Sequence, residues 1–87
     1  MASALDDRIA FVTGATSGIG RAAALRLAEG GAHVALASRR EDRLEAVADR
    51  IRSDHGREAL AVPTDVTDPE QVRSAVTETA ETFGGID

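Results

Sequence analysis

Thr13-Gly14-Ala15-Thr16-Ser17-Gly18-Ile19-Gly20 joins a short apolar run to a stretch with helical periodicity. The run before it, Ile9-Ala10-Phe11-Val12, is continuous, which suits a strand buried on both faces. The stretch after it, residues 18–29, carries Ile19, Ala22, Ala23 and Leu27 at helical spacing, and Gly30-Gly31 stops it. A glycine turn that closes a strand and opens a helix has a separate use for each glycine. Gly14 turns the chain sharply, Gly18 leaves the backbone open to a diphosphate, and Gly20 lets the helix pack close to the sheet. The amides around Ser17, Gly18 and Ile19 then point at an anion, helped by the helix dipole. The alternative is a glycine-rich turn with no ligand. A phosphate loop of the ATPase type is excluded, because it ends in Gly-Lys-Ser/Thr and the chain has no Lys.

The same alternation of periods continues outward. His33-Val34-Ala35-Leu36-Ala37 predicts a second buried strand. Leu44, Val47, Ala48 and Ile51 form the apolar stripe of a second helix, with Gly56 at its left-handed end. Ala59-Leu60-Ala61-Val62 predicts a third strand closed by Pro63. Asp68-Pro69-Glu70-Gln71 starts a third helix, with Asp68 as cap, Pro69 in the first position and Gln71 completing a capping box. Val72, Val76, Ala80 and Phe83 form its apolar face, and Gly84-Gly85 ends it. Strand, helix, strand, helix, strand, helix implies an α/β fold with right-handed crossovers and a parallel sheet, the first half of a Rossmann-type doubly wound sheet.

Composition narrows the chemistry. The 87 residues include no Lys, Tyr, Asn or Cys, so no lysine amine, tyrosine hydroxyl, thiolate or disulfide acts from within them. His33 and His55 lack metal-ligand spacing; the first reads as a surface residue, the second as a helix-end charge. The net charge of −5 argues against nucleic-acid binding. Residues 1–43 carry six Arg and five acids, residues 44–87 four Arg and ten acids, so an anionic ligand favours the first half. No run approaches the roughly 18 apolar residues of a membrane span, and the start shows no secretory signal, which makes the expected location cytoplasmic. Leu, Ile, Val and Phe total only 19 residues, and most of the other apolar residues are Ala, so the core buries little area per residue.

Residues 13–20, with Val34–Arg40 (VALASRR) and Thr64–Asp68 (TDVTD), resemble the start of the short-chain dehydrogenase/reductases, and the resemblance covers essentially the whole chain. It implies that the turn, with Gly14, Thr16, Ser17, Gly18, Ile19 and Gly20, holds the pyrophosphate and adenosine ribose of a nicotinamide dinucleotide. The end of the second strand meets that ribose, where an acid suits the hydroxyls of NAD and an Arg suits the 2′-phosphate of NADP. The position resembling the family's acid is Ser38, followed by Arg39 as in members that prefer NADP, with Arg40 beside it. Ser17 stands where some members carry a second basic residue, so NAD is the alternative cofactor. The bland reading of Arg39 and Arg40 is solvated charge paired with Glu41 or Asp42. Asp65 matches the acid that meets the adenine amino group and Val66 adds backbone contacts; the competing role for Asp65 is a turn carboxylate capping the amides of Thr67 or Asp68.

The family's chemistry is hydride transfer between nicotinamide and a carbonyl or alcohol, carried by Ser, Tyr, Lys and Asn, and no catalytic residue of that set occurs at a matching position here. The resemblance therefore predicts that residues 1–87 are the NADP-binding N-terminal part of a single Rossmann domain, cut before a fourth strand, in an oxidoreductase that is a homo-oligomer when complete. The chain alone is expected to be inactive and marginally folded. The alternatives are a non-catalytic dinucleotide-binding regulator on the same fold and an inactive truncated product.

Overall fold

A computed structural model describes residues 5–15 and 17–87, and there the two periods become three strands and three helices. They are β1 (Ile9–Thr13), α1 (Gly18–Glu29), β2 (His33–Ser38), α2 (Glu41–His55), β3 (Ala59–Pro63) and α3 (Pro69–Phe83). The strands form one parallel sheet in the order β1-β2-β3. Ile9 stands opposite His33 and Thr13 opposite Ala37, while Val34 stands opposite Ala59 and Ser38 opposite Pro63. All three strands therefore end at the same side of the sheet.

α1 packs on β1 and β2 and against α2, which covers β2 and β3; α3 reaches β1 and β2. Right-handed crossovers that all move away from β1 put α1 and α2 on one face, and the reversed crossover through α3 puts it on the other. The reversal is visible beyond α3. The Asp87 N–H donates to the Ile9 carbonyl at 2.9 Å, and the Asp87 carboxylate accepts from the Ile9 N–H at 2.9 Å. Asp87 thus sits on the edge of β1 away from β2. This is the half-Rossmann arrangement expected from the sequence, including the point where the strand order reverses.

Burial follows strand position. Val34, Ala35, Leu36 and Ala37 of the central strand are fully buried, whereas Ile9–Val12 of β1 are half-buried. The apolar run at residues 9–12 predicts a strand covered on both faces; at the sheet edge it gains only part of that cover. The second-helix stripe is core as expected, with Leu44, Ala48 and Ile51 at 0% exposure. Among the described residues nine of the fifteen buried apolar ones are Ala, and the largest fully buried side chains are Leu36, Leu44 and Ile51.

Two helices sit in a different rotational phase from the one their sequence suggests. α1 buries Ala24 and Ala28, and Ile19 is 88% exposed. Residues 22–24 are all Ala, so hydrophobicity does not mark which of them faces the sheet. The small-residue row Gly20, Ala24, Ala28 decides it, since a Cβ on Gly20 would overlap the Gly14 carbonyl oxygen and lie 2.6 Å from its carbon. α3 buries Ala75 and Thr79 rather than Val76, which is 38% exposed. A buried Thr79 is tolerated because its hydroxyl donates to the Ala75 carbonyl at 2.8 Å.

His33, expected at the surface, is a half-buried clip at the opposite end of the sheet from the glycine turn. Its Nδ1 accepts from the Glu58 N–H at 3.0 Å, its Nε2 faces Asp7 Oδ1 at 3.3 Å, and its ring stacks on Phe83 at 6.1 Å. None of these partners is a sequence neighbour, so nothing local signals the role.

Candidate functional site

Three strand ends and one helix start converge beyond the carboxyl edge of the sheet. At the first, Gly14 adopts φ +63°, a left-handed value that a side chain disfavours, and the chain reverses there as its sequence suggests. The Ser17 N–H and hydroxyl both go to the Gly14 carbonyl, at 3.1 and 2.8 Å. That closes the turn and uses the Ser17 amide internally. The Ser17 amide, expected to point at an anion, is thus spent on the turn together with the hydroxyl. The remaining first-turn amides belong to Gly18, Ile19 and Gly20, since the first i→i−4 bond runs from the Arg21 N–H to the Ser17 carbonyl at 2.8 Å. Nothing lies within 4 Å of where a Gly18 Cβ would be, so the turn keeps open space there while Gly20 has none. Thr16 lies outside the described residues.

At the second strand end, Ser38, Arg39 and Arg40 lead into α2. The Arg40 N–H reaches the Ser38 hydroxyl at 3.4 Å, and the Arg40 carbonyl accepts the first bond of α2, from the Leu44 N–H at 2.9 Å. The third strand end is tied to the second by the Thr64 N–H, which donates to the Ser38 carbonyl at 2.7 Å. This brings Asp65 across from Arg39. A groove of about 260 Å³ results, lined by Gly14, Ser38, Arg39, Arg40, Asp65 and Val66 together with Thr64 and Thr67. Of the residues singled out from sequence, Ser17, Gly18, Ile19 and Gly20 stand outside this lining, at the start of α1.

Asp65 is the most constrained side chain of the groove. Its Oδ1 accepts from the Thr67 hydroxyl at 2.6 Å and the Thr67 N–H at 3.0 Å, and its Oδ2 accepts from Arg39 Nη2 at 2.9 Å. The Thr67 hydroxyl foremost, and the Arg39 guanidinium next, hold its carboxyl down at about 2. The same pair raises the Arg39 guanidinium above its ordinary value, through the hydrogen bond to Asp65 and then its charge. Arg39 therefore pairs with Asp65 rather than with Glu41 or Asp42. Asp65 does carry the Thr67 amide, as a turn carboxylate would.

Three further residues shape this region, and the sequence reading caught their contacts only in part. Thr64 is buried and its hydroxyl donates to the Val62 carbonyl at 2.8 Å; Thr67 holds Asp65. Gln71, expected to close a capping box on Asp68, does meet it, its Nε2 donating to Asp68 Oδ2 at 3.3 Å, but its Oε1 accepts the Asp65 N–H at 2.8 Å instead of the Asp68 N–H. The Asp68 N–H is already given to the Asp65 carbonyl at 3.0 Å, so the glutamine oxygen is left for Asp65. The Asp-x-Thr spacing at 65–67 is a detectable turn signal; the reach of Gln71 is not.

A wider groove of about 510 Å³ lies at the other end of the strands, between Gly56, Ala59 and Phe83. Its two arginines are engaged: Arg52 donates to the Ala59 carbonyl at 2.6 Å, and Arg57 meets Asp6 and Asp7 at 3.3 Å each. No strand carboxyl ends or helix N-terminus face it, so the smaller groove is the better site on chemical grounds. No group of acids and histidines suited to a metal occurs among the described residues, and none of their helices is long and apolar enough to cross a membrane.

Parallel strand ends, an open glycine turn and a reversed strand order define the first half of an α/β fold of the Rossmann type. The short chain dehydrogenase family profile matches residues 8–87, and the chain belongs to that family of oxidoreductases. A Staphylococcus aureus protein described as an uncharacterized oxidoreductase is 48% identical over 83 residues, covering 95% of this chain and 35% of the relative. L-sorbose reductase from Gluconobacter frateurii, solved with NADPH and L-sorbose, superposes with a TM-score of 0.92 at 38% identity, over 100% of this chain and 33% of that one. An NAD+-bound xylitol dehydrogenase superposes with a TM-score of 0.91 at 38% identity, over 97% and 32%. The chain thus spans about a third of the length of the relatives it matches.

Proposed function

We propose that residues 1–87 form the NADP-binding part of an oxidoreductase that moves hydride between the nicotinamide and a small carbonyl or alcohol substrate. The observation that carries the cofactor choice is the end of β2, where a neutral Ser38 and the guanidinium of Arg39 stand beside the groove. An acid there would suit a ribose diol; a cation suits a 2′-phosphate. The two similar structures named above hold different dinucleotides, so family likeness alone does not choose between them.

The residues present fit such a cofactor. The open space at Gly18 suits a pyrophosphate against the first amides of α1, with the helix dipole favouring its charge. Ser17 keeps the turn in shape through Gly14. Ser38, Arg39 and Arg40 take the adenosine ribose and its 2′-phosphate, and Asp65 and Val66 take the adenine edge. When bound, the nicotinamide supplies or accepts the hydride. This chain's own residues bind and orient the adenosine half; the proton-transfer groups of the family, a Tyr and Lys among them, are not in these residues.

The test is a calorimetric titration of the full-length protein with both dinucleotides. Arg39→Ala is expected to weaken NADP binding roughly 10- to 100-fold, the scale of a lost charge-assisted hydrogen bond, and to leave NAD within about threefold. Ser38→Asp is expected to move the preference toward NAD. Unchanged NADP affinity in Arg39→Ala would remove the guanidinium from the phosphate site.

A further inference from the structure

The Arg39–Asp65 pair joins two residues that the cofactor would both use. The two partners differ in freedom. Asp65 is pinned on three sides: Thr67 holds Oδ1, the Gln71 amide oxygen accepts from its N–H at 2.8 Å, and the Asp68 N–H donates to its carbonyl at 3.0 Å. Its side chain is 27% exposed, against 69% for Arg39, which among the described residues is held at this end through Oδ2 of Asp65. The guanidinium is thus the mobile partner and the carboxylate the fixed one.

Resting on the assignment of Arg39 to the 2′-phosphate, we propose that Asp65 competes with that phosphate for the Arg39 guanidinium, so that the ion pair sets how far the site prefers NADP over NAD. A phosphate gripped through two N–H groups must draw the planar fork away from Oδ2 or share it with the carboxylate. In the first case the Asp65 ion pair is lost. In the second, two anions face one cation, and their repulsion offsets part of the gain. A dinucleotide without the 2′-phosphate asks for neither, since Arg39 stays on Asp65 and no charge is stranded. Asp65 therefore acts on specificity through Arg39, as a positioning residue. Its charge persists throughout the physiological pH range, because Thr67 and Arg39 hold its carboxyl at about 2.

The experiment measures affinities of the full-length protein for adenosine 2′,5′-bisphosphate and adenosine 5′-monophosphate, in the parent, Asp65→Asn, Arg39→Ala and the double variant. Both probes carry adenine, so any contact of residue 65 with the base cancels in their ratio. Asn keeps an acceptor for Thr67, and an unchanged urea midpoint reports an intact fold whatever the variant does to the adenine contact; Asp65→Ser gives the same readout with a shorter acceptor. Asp65→Asn is expected to raise the preference for the bisphosphate about three- to fivefold, the scale of an exposed ion pair, and this gain is expected to vanish in the Arg39→Ala background. A gain that survives in that background would mean plain repulsion by Asp65 and would overturn the competition. No gain in Asp65→Asn, with the preference lost in Arg39→Ala, would overturn this inference alone. A preference unchanged by Arg39→Ala would overturn the cofactor assignment and the inference together.

Discussion

Two glycines six residues apart, Gly14 and Gly20, touch in a way that only the absence of a side chain on Gly20 permits, while Gly18 between them faces open space. The motif therefore mixes a packing demand with a binding demand, and substitution separates them. Gly20→Ala is expected to destabilise the protein by about 1–3 kcal/mol, because the added methyl meets rigid backbone rather than a side chain that can turn aside. Gly18→Ala is expected to leave the urea midpoint nearly unchanged and to weaken dinucleotide binding. Urea unfolding and cofactor titration of the two variants read the two demands apart, and equal stability losses would contradict the division. A second residue-scale expectation concerns acid. Asp65 has a native value of about 2 against 3.8 for an unperturbed carboxyl. Between those values the unfolded chain binds more protons than the native one, so the stability contributed by Asp65 is full above about pH 4 and is lost as the pH falls toward 2. NMR titration of the Asp65 carboxyl with a midpoint near 4 would contradict the Thr67 and Arg39 contacts.

At the scale of the element, composition decides which helices announce their phase. α2 carries Leu44, Val47 and Ile51 on one side among charged residues, and that side is the buried one. α1 and α3 carry Ala, Val and Thr on several sides, and their phases came from close backbone approach and from a satisfied hydroxyl. Ile51→Ala is expected to cost about 3 kcal/mol in urea unfolding, as a fully buried large-to-small change does, and Val76→Ala less than about 1 kcal/mol because Val76 is already 38% exposed. Equal costs would place Val76 in the core and restore the phase suggested by its spacing. The N-cap of α3 was legible, since the Asp68 carboxylate accepts from the Glu70 N–H at 3.0 Å behind Pro69 and from Gln71 Nε2 at 3.3 Å, but the bond from the Asp65 N–H to Gln71 was not.

For the whole molecule, the governing quantity is how little apolar volume lies inside. A core dominated by Ala, with β1 half-covered and both Phe residues partly exposed, makes few of the contacts that stabilise a domain against chain entropy. We expect the 87-residue polypeptide by itself to unfold over a broad denaturant range and to reduce no ketone with either dinucleotide, since it contains no Tyr or Lys for proton transfer. A sharp two-state transition accompanied by turnover would refute both halves of that expectation.

The order and type of all six elements, the sharp turn at Gly14 and the left-handed end of α2 at Gly56 follow from the sequence alone. Each rests on local physics: apolar period, glycine at positive φ, and a Pro behind a capping Asp. What only the tertiary structure decided involves residues far apart in the chain. Arg39 finds Asp65 26 positions away, His33 finds Glu58 and Phe83, and Gly20 finds the Gly14 carbonyl only once α1 has docked. Charge and size are written in the sequence, but which charge meets which is set by the strand register that brings Ser38 level with Pro63.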